Sequence, residues 1–322
     1  MQRTALITGI TGQDGSYLCE LLLKKGYIVI GLVSQKYNIG WQNIEHIKDK
    51  LVIENGDLLD SESLSRVFNK YQLNEVYNLG GLTFVPQSWE KPTVTLDINL
   101  LGVSRILEII TTKHKQTRFY QASTAKIFGL PTDVPQTEST KVQPLDPYSV
   151  SKAAAHFLVQ SMRQQFDVFA VSGILYNHES QRRGVEFVTR KITQTAVKIK
   201  LGQVKKLELG DLDAQADWGY APDYVEAMWL MLQQEKPDDF IIATGELHSV
   251  RDICETAFGY LKLDYQNFVT ISEQFVRKTE AKALTGNPSK ANRVLGWQPK
   301  TSFKDMIINM VKHDLNLCQN QL

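Results

Sequence analysis

Cysteine is scarce in this chain, with Cys19, Cys254 and Cys318 the only three in 322 residues. They are too few and too scattered for a disulfide framework or a zinc knuckle, and a reducing cytoplasm is the expected compartment. The six histidines, His46, His114, His156, His178, His248 and His313, show no ligand spacing, so no metal site is expected. An excess of one charge is also lacking. Bases (36) and acids (35) are mixed along the chain and leave a net charge of +1, which argues against a nucleic-acid-binding or membrane-attached surface. No apolar run approaches the length of a membrane span, and the N-terminus enters a strand pattern with no charged leader, so a soluble, unprocessed protein is expected. Internal repeats and low-complexity linkers are missing as well.

What the chain does have is an apolar strand, Ala5-Leu6-Ile7-Thr8, that breaks on Gly9-Ile10-Thr11-Gly12-Gln13-Asp14-Gly15 and then starts a helix. This is the entrance of a dinucleotide site. Gly9 permits the tight turn, Gly12 lets the backbone approach a pyrophosphate, Gly15 lets helix and strand pack closely, and the helix N-terminus faces the phosphates. Strand patterns at 5–8, 28–33, 51–54, 75–79, 119–122 and 168–175 alternate with helical patterns at 16–25, 61–71, 93–113 and 148–165. The alternation predicts an α/β fold built on a doubly wound parallel sheet of the Rossmann type. Ligands of such sheets bind beyond the carboxyl ends of the strands, where Gly9, Asp57, Gly80 and Thr124 fall. After residue 175 the rhythm becomes irregular, with helices at 250–261 and 303–317, and reads as a second, smaller substrate-binding lobe. The expected division is a dinucleotide-binding domain over 1–175 with a returning segment at about 220–250, and a lobe formed by 176–219 and 251–322.

Tyr148-Ser149-Val150-Ser151-Lys152 sets a phenol and an ammonium one helical turn apart, with Thr124 on a preceding segment. A tyrosine ordinarily loses its proton near pH ~10, so it needs a cation to serve as a base near neutrality. Lys152 supplies one. Tyr148 could then take the proton of a sugar hydroxyl while hydride leaves the same carbon for a nicotinamide, with Thr124 holding that oxygen. The alternative is an ordinary helix pair, against which stands the glycine turn upstream. Asp57, followed by Leu58, could accept from the adenine amine or could be a plain turn carboxylate. The second strand ends in Val33-Ser34-Gln35-Lys36, with neither an acid for the ribose diol nor an arginine for a 2′-phosphate. Ser34 and Lys36 are left to face that ribose, which favours NAD and leaves NADP possible.

Almost end to end, the chain resembles the extended short-chain dehydrogenase/reductases, and among them the GDP-mannose 4,6-dehydratases. The most telling pieces are residues 9–18, Asn78-Leu79-Gly80, 121–124, 148–152, Asn177-His178-Glu179-Ser180 with Arg182-Arg183-Gly184, Phe187-Val188-Thr189-Arg190-Lys191, Asp217-Trp218-Gly219 and Ala243-Thr244-Gly245-Glu246. The resemblance implies a GDP-linked sugar as substrate and a homodimer or homotetramer. It places Thr11, Gln13, Asp14, Leu58, Leu79 and Gly80 on the cofactor. It places Thr83, Glu179 and Val188 beside the sugar nucleotide, together with Asn177 and with Lys191 reaching the guanine carbonyl. Arg277 would hold the diphosphate and Glu280 a ribose hydroxyl, a surface ion pair being the alternative reading of those two. Arg183 would cross a subunit interface toward the neighbour's cofactor, or else belong to a solvated basic turn.

Three departures from the family pattern bear on chemistry. The dehydratases carry Ser-Thr-Ser-Glu at the catalytic strand end, whose glutamate removes the C5 proton, and this chain has Ser123-Thr124-Ala125-Lys126. Lys126 thus stands in the catalytic set with its role unassigned. Ser34 and Gln35 replace two expected arginines, and Ala216 replaces an arginine expected to touch the substrate. The expected function is NAD(P)-dependent oxidation or reduction at C4 of a GDP-linked mannose-type sugar, with elimination lost or altered. A 4,6-dehydratase using another base and a non-catalytic nucleotide-binding protein on the same fold are the alternatives.

Overall fold

The computed structural model describes residues 2–36, 40–275 and 284–319. The amino-terminal half contains β1 (Thr4–Thr8), α1 (Gln13–Lys24), β2 (Ile28–Val33), β3 (Val52–Asn55), α2 (Ser61–Lys70), β4 (Glu75–Asn78), α3 (Val85–Glu90), α4 (Pro92–Leu96), α5 (Gly102–Lys113), β5 (Arg118–Thr124), α6 (Pro147–Phe166) and β6 (Ala170–Leu175). There follow β7 (Asn177–Glu179), α7 (Val188–Lys200), β8 (Leu207–Leu209), β9 (Gln215–Ala216), β10 (Trp218–Tyr220), α8 (Ala221–Met231), β11 (Phe240–Ile242), β12 (His248–Ser249), α9 (Val250–Tyr260), β13 (Val269–Ile271), α10 (Ser289–Leu295) and α11 (Phe303–Gln319).

Seven strands form one parallel sheet in the order β11-β6-β5-β4-β1-β2-β3. The doubly wound α/β architecture expected from the alternating pattern is therefore present. Ala5, Leu6 and Ile7 are fully buried because helices cover both faces of a central parallel strand. Leu18 of α1 and Met228 of α8 pack with Ile7 and Tyr77 on one face, while Val67, Ile106 and Val159 of α2, α5 and α6 pack with Leu6 and Val76 on the other. Strand order reverses between β1 and β4, and the crevice opens at their carboxyl ends. A separate core, including Ile192, Leu209, Phe258 and Met310, joins α7, β8, α9 and α11. No helix of the described residues is long and apolar enough to cross a membrane.

Two elements differ from their sequence-based expectation. The 93–113 pattern is interrupted by a π-helical turn at Asp97–Leu101 between α4 and α5. There the Asn99 amide is taken up by the Leu82 backbone, accepting from its N–H at 2.9 Å and donating to its carbonyl at 3.0 Å. Single π turns of this kind concentrate at functional sites. β5 also continues past Ala122 to Thr124, because its pairing with β6 extends to Thr124 opposite Leu175.

Candidate functional site

The glycine turn is dictated by contact distances. Gly9 has φ +69°, and a Cβ there would lie 2.8 Å from the Gly80 nitrogen; a Cβ on Gly15 would lie 2.2 Å from the Gly9 carbonyl oxygen. Gly12 is different. Its added Cβ would meet only the Gly9 carbonyl oxygen at 3.2 Å, so the side facing the crevice is open. Gly12 is the N-cap of α1 and provides no side-chain cap, leaving the helix N-terminus available to an anion. A cradle of this shape fits the pyrophosphate of a dinucleotide.

Behind the turn, a buried polar ladder crosses the sheet. Thr8 accepts from the Gly80 N–H at 2.9 Å and donates to Asn78 at 2.6 Å; Asn78 donates to Gln121 at 2.8 Å; Gln121 donates to the Ala122 carbonyl at 2.9 Å. The same carbonyl accepts from the Lys152 ammonium at 2.9 Å. Nothing in the alternating pattern marks Gln121 or Asn78 as functional, although Asn78 closes β4. On the other side, Asn99 donates to Ser151 at 3.1 Å and Ser151 donates to the Tyr148 carbonyl at 2.6 Å, fixing the first turn of α6. Asp146 starts that helix through a reciprocal capping box with Ser149.

Tyr148 is 8% exposed and Lys152 4% exposed. Burial raises the Tyr148 pKa above the usual phenol value, against a hydrogen bond with Thr124 and the nearby Arg183 charge, which lower it. Burial pushes the Lys152 ammonium down to about 8. The site thus drives both groups toward their neutral forms, and the Lys152 nitrogen lies 6.0 Å from the centre of the Tyr148 ring. Thr124 also accepts from the Lys126 N–H at 3.3 Å, which places Lys126 two residues beyond the Thr124 hydroxyl, half-buried.

At the ends of β2 and β3, Ser34 donates to the Asp57 carboxylate at 2.7 Å, the other carboxylate oxygen accepts from the Leu59 N–H at 2.9 Å, and the Lys36 N–H donates to Ser34 at 3.2 Å. Leu58 is buried, whereas Leu79 and Gly80 are partly open toward the crevice.

Of the residues expected beside a sugar nucleotide, Asn177, Glu179, Val188 and Lys191 lie on or between β7 and α7. Asn177 is half-buried; Glu179 is buried, accepts from Thr189 at 2.5 Å and pairs with Arg183 at 3.3 Å. Arg183 lies 3.6 Å over the Phe187 ring of its own chain. Val188 begins α7, and Thr83 is exposed beside Phe84, whose ring meets that of Phe187 edge-on at 6.1 Å. Lys191 donates to the Glu208 carbonyl at 2.7 Å and lies 3.8 Å over the Phe275 ring, and burial lowers its pKa. Arg277 and Glu280 fall outside the described residues. Ala216 pairs directly opposite His248 in a two-stranded antiparallel bridge. Gln13, Asp14 and His178 are joined across the crevice by direct hydrogen bonds, a link with no local pattern in the sequence because the residues are more than 160 positions apart.

The profile of the GDP-mannose 4,6 dehydratase family matches residues 6–310. GDP-mannose 4,6 dehydratase 1 of Arabidopsis thaliana is 44% identical to the chain over 332 aligned residues, which cover 99% of this chain and 92% of that protein. The GDP-mannose 4,6 dehydratase of Homo sapiens is 41% identical, with 98% and 92% covered. Among solved structures, the UDP-glucose 4-epimerase of Thermotoga maritima superposes with a TM-score of 0.88 over 98% of this chain and 99% of that one, at 21% identity. That likeness establishes the shared fold. With matches of this length and identity, the chain belongs to the GDP-mannose 4,6-dehydratase family.

Proposed function

We propose that the protein oxidises C4 of a GDP-linked mannose-type sugar, using a nicotinamide dinucleotide seated on the Gly9–Gly15 turn. The observation that carries this reading is the buried Tyr148 set one helical turn from Lys152, whose ammonium is anchored on the Ala122 carbonyl at 2.9 Å, at the mouth of an uncapped dinucleotide cradle. When bound, the nicotinamide ring supplies a hydride acceptor. Thr124 holds the C4 oxygen, and Tyr148 takes its proton. Lys152, anchored on the Ala122 carbonyl, offers positive charge to the phenolate that takes the proton, which compensates the burial that otherwise keeps the phenol neutral.

NAD is the proposed cofactor, because Ser34 and Asp57 offer no cation to a 2′-phosphate and Lys36 lacks the bidentate geometry of an arginine. GDP is the proposed nucleotide. Lys191 can donate to the guanine carbonyl, where adenine presents a donor. Val188, Asn177 and Glu179 border the same cleft. Homologues named as 4,6-dehydratases favour a second reading, in which water is also lost from the sugar. Lys126, a cation where that elimination calls for a base, favours arrest at the 4-keto sugar.

The experiment is incubation of purified enzyme with GDP-mannose and NAD, followed by mass spectrometry of the GDP-sugar. A product lighter by two hydrogens supports C4 oxidation alone, whereas a product lighter by one water supports the second reading. Calorimetric titration with GDP, UDP, CDP and ADP tests the nucleotide. Equal or tighter binding of UDP overturns the GDP assignment.

A further inference from the structure

The start of α1 and the segment after β6 are fastened together side chain by side chain. Gln13 crosses the gap twice, its amide nitrogen donating to the His178 carbonyl at 3.0 Å and its amide oxygen accepting from Ser180 at 2.8 Å. Arg182 reaches back to Ser16 at 3.0 Å and to Glu20 at 2.5 Å. At the centre, His178 is 8% exposed and stacked on Tyr224, with ring centres 4.7 Å apart. Its Nε2 lies 2.8 Å from an Asp14 carboxylate oxygen and its Nδ1 2.7 Å from the Tyr176 carbonyl oxygen.

Neither partner of that ring can donate a hydrogen. A carboxylate and a carbonyl are both acceptors, so both ring nitrogens must carry hydrogen, and only the imidazolium has two. The charged and titratable groups facing His178 are Asp14 from α1, Arg183 from the following loop and the Tyr224 phenol from α8; β10 opposes it with Gly219, which carries no charge. Burial disfavours the imidazolium, but Asp14 outweighs it and holds the His178 pKa above the ordinary histidine value. Asp14 is correspondingly held below the usual carboxylate range, against its own burial.

The bridge joins the two halves of the site. Asp14 sits between Gly12 and Gly15 on the cofactor turn, and His178 sits between Asn177 and Glu179. β7 is only three residues long and pairs with three residues of β10 outside the main sheet, so its placement against the turn depends on these side chains. We propose that His178 is a positioning residue whose proton couples the cofactor turn to the nucleotide-sugar strand, so that filling either half of the site tightens binding in the other. This rests on the functional reading above. A ligand that orders one side of a shared bridge leaves less ordering to be done by the second ligand. As pH rises through the elevated His178 pKa, one ring nitrogen loses its hydrogen, one of the two bonds is lost, and the coupling falls.

Calorimetry on the full-length enzyme, measuring GDP affinity with and without saturating NAD and the reverse, tests this over a pH series that starts at about 6.5, the ordinary histidine value, and rises from it. The expected coupling is at least about fivefold at the start of the series, within the usual range for linked sites, and falls toward unity as pH rises. His178→Gln keeps one donor but cannot be charged, and Asp14→Asn keeps the shape without the charge. Each is expected to show little coupling throughout the series. Coupling that persists unchanged in a folded His178→Gln variant, or wild-type enzyme that binds both ligands without coupling near pH 6.5, overturns the proposal. Should neither variant fold, the wild-type pH series decides alone. If GDP or NAD fails to bind the wild type at all, the functional reading falls, and this inference falls with it.

Discussion

Ser34 donates its hydroxyl hydrogen to the Asp57 carboxylate at 2.7 Å, so the ends of β2 and β3 present an anion where a 2′-phosphate would have to settle. Two like charges a few ångströms apart near a protein surface repel by a kcal/mol or more, about a tenfold difference in affinity. NAD is therefore expected to bind at least about tenfold more tightly than NADP. Titration of both cofactors into stripped enzyme checks this. Ser34→Arg should narrow the gap by supplying a bidentate phosphate partner, and tighter NADP binding to the wild type would refute the assignment.

Replacing Tyr148 by phenylalanine removes the proton acceptor and almost no packing surface. Hydride transfer is expected to slow by about two to four orders of magnitude, with cofactor affinity nearly unchanged. Stopped-flow absorbance of the reduced nicotinamide reads the rate directly. Because burial raises the phenol and lowers Lys152 to about 8, the wild-type rate should climb with pH only until the Lys152 ammonium that supports the phenolate is lost at about 8, and the variant's residual rate should lack that dependence. A variant with near-normal turnover would remove Tyr148 from the chemistry.

The sheet was legible because short apolar stretches such as Ala5–Ile7 and Ile28–Val33 recur between helical patterns up to residue 175. The Gly9, Gly12 and Gly15 turn could be read because each glycine answers to a local steric demand. What the pattern could not convey is long-range pairing. Asn99 looks like one polar residue in an apolar helix until Leu82 takes up its amide, and that exchange accompanies the π turn that splits the helix. His178 carried no ligand spacing because its partner Asp14 lies on another element, 164 positions earlier. The β5 extension to Thr124 follows from its register with β6, a tertiary fact.

Asp239, at the edge of the sheet before β11, is 5% exposed and accepts two hydrogen bonds from Arg163, at 3.0 and 2.9 Å, and one from the Ser172 N–H at 2.7 Å. Burial would raise its pKa, but Arg163 overrides this and holds it below the usual carboxylate value. Arg163→Ala strands the buried charge and is expected to cost about 3 kcal/mol, measured by urea unfolding. A depressed pKa contributes stability above the unfolded-state value, and that stability is lost as pH falls through the folded one. Wild-type enzyme should therefore lose this contribution below about pH 4, while the variant, lacking it already, should show a shallower acid limb. A cost under about 1 kcal/mol would mean that water replaces Arg163 at little expense.

The last expectation concerns the water molecule that a 4,6-dehydratase removes. Elimination from a 4-keto sugar needs a base for the C5 proton and an acid for the departing C6 hydroxyl, each contributing about 10²–10⁴-fold. Ala125 can be neither, and a protonated Lys126 has no lone pair to offer. Glu179, the buried carboxylate on the substrate side, is already occupied by Thr189 and Arg183. Oxidation at C4 asks only for Thr124, Tyr148, Lys152 and the nicotinamide. Turnover should stop at the 4-keto sugar or run back by return of hydride. Incubating GDP-mannose and its heptose homologue with enzyme and NAD in deuterated water should leave C5 free of solvent deuterium. Lys126→Glu should restore a proton acceptor at that position and introduce C5 exchange. A 6-deoxy-4-keto product of the wild-type enzyme carrying deuterium at C5 would mean that another group has taken over as base, and that the chain is a dehydratase in activity as well as in ancestry.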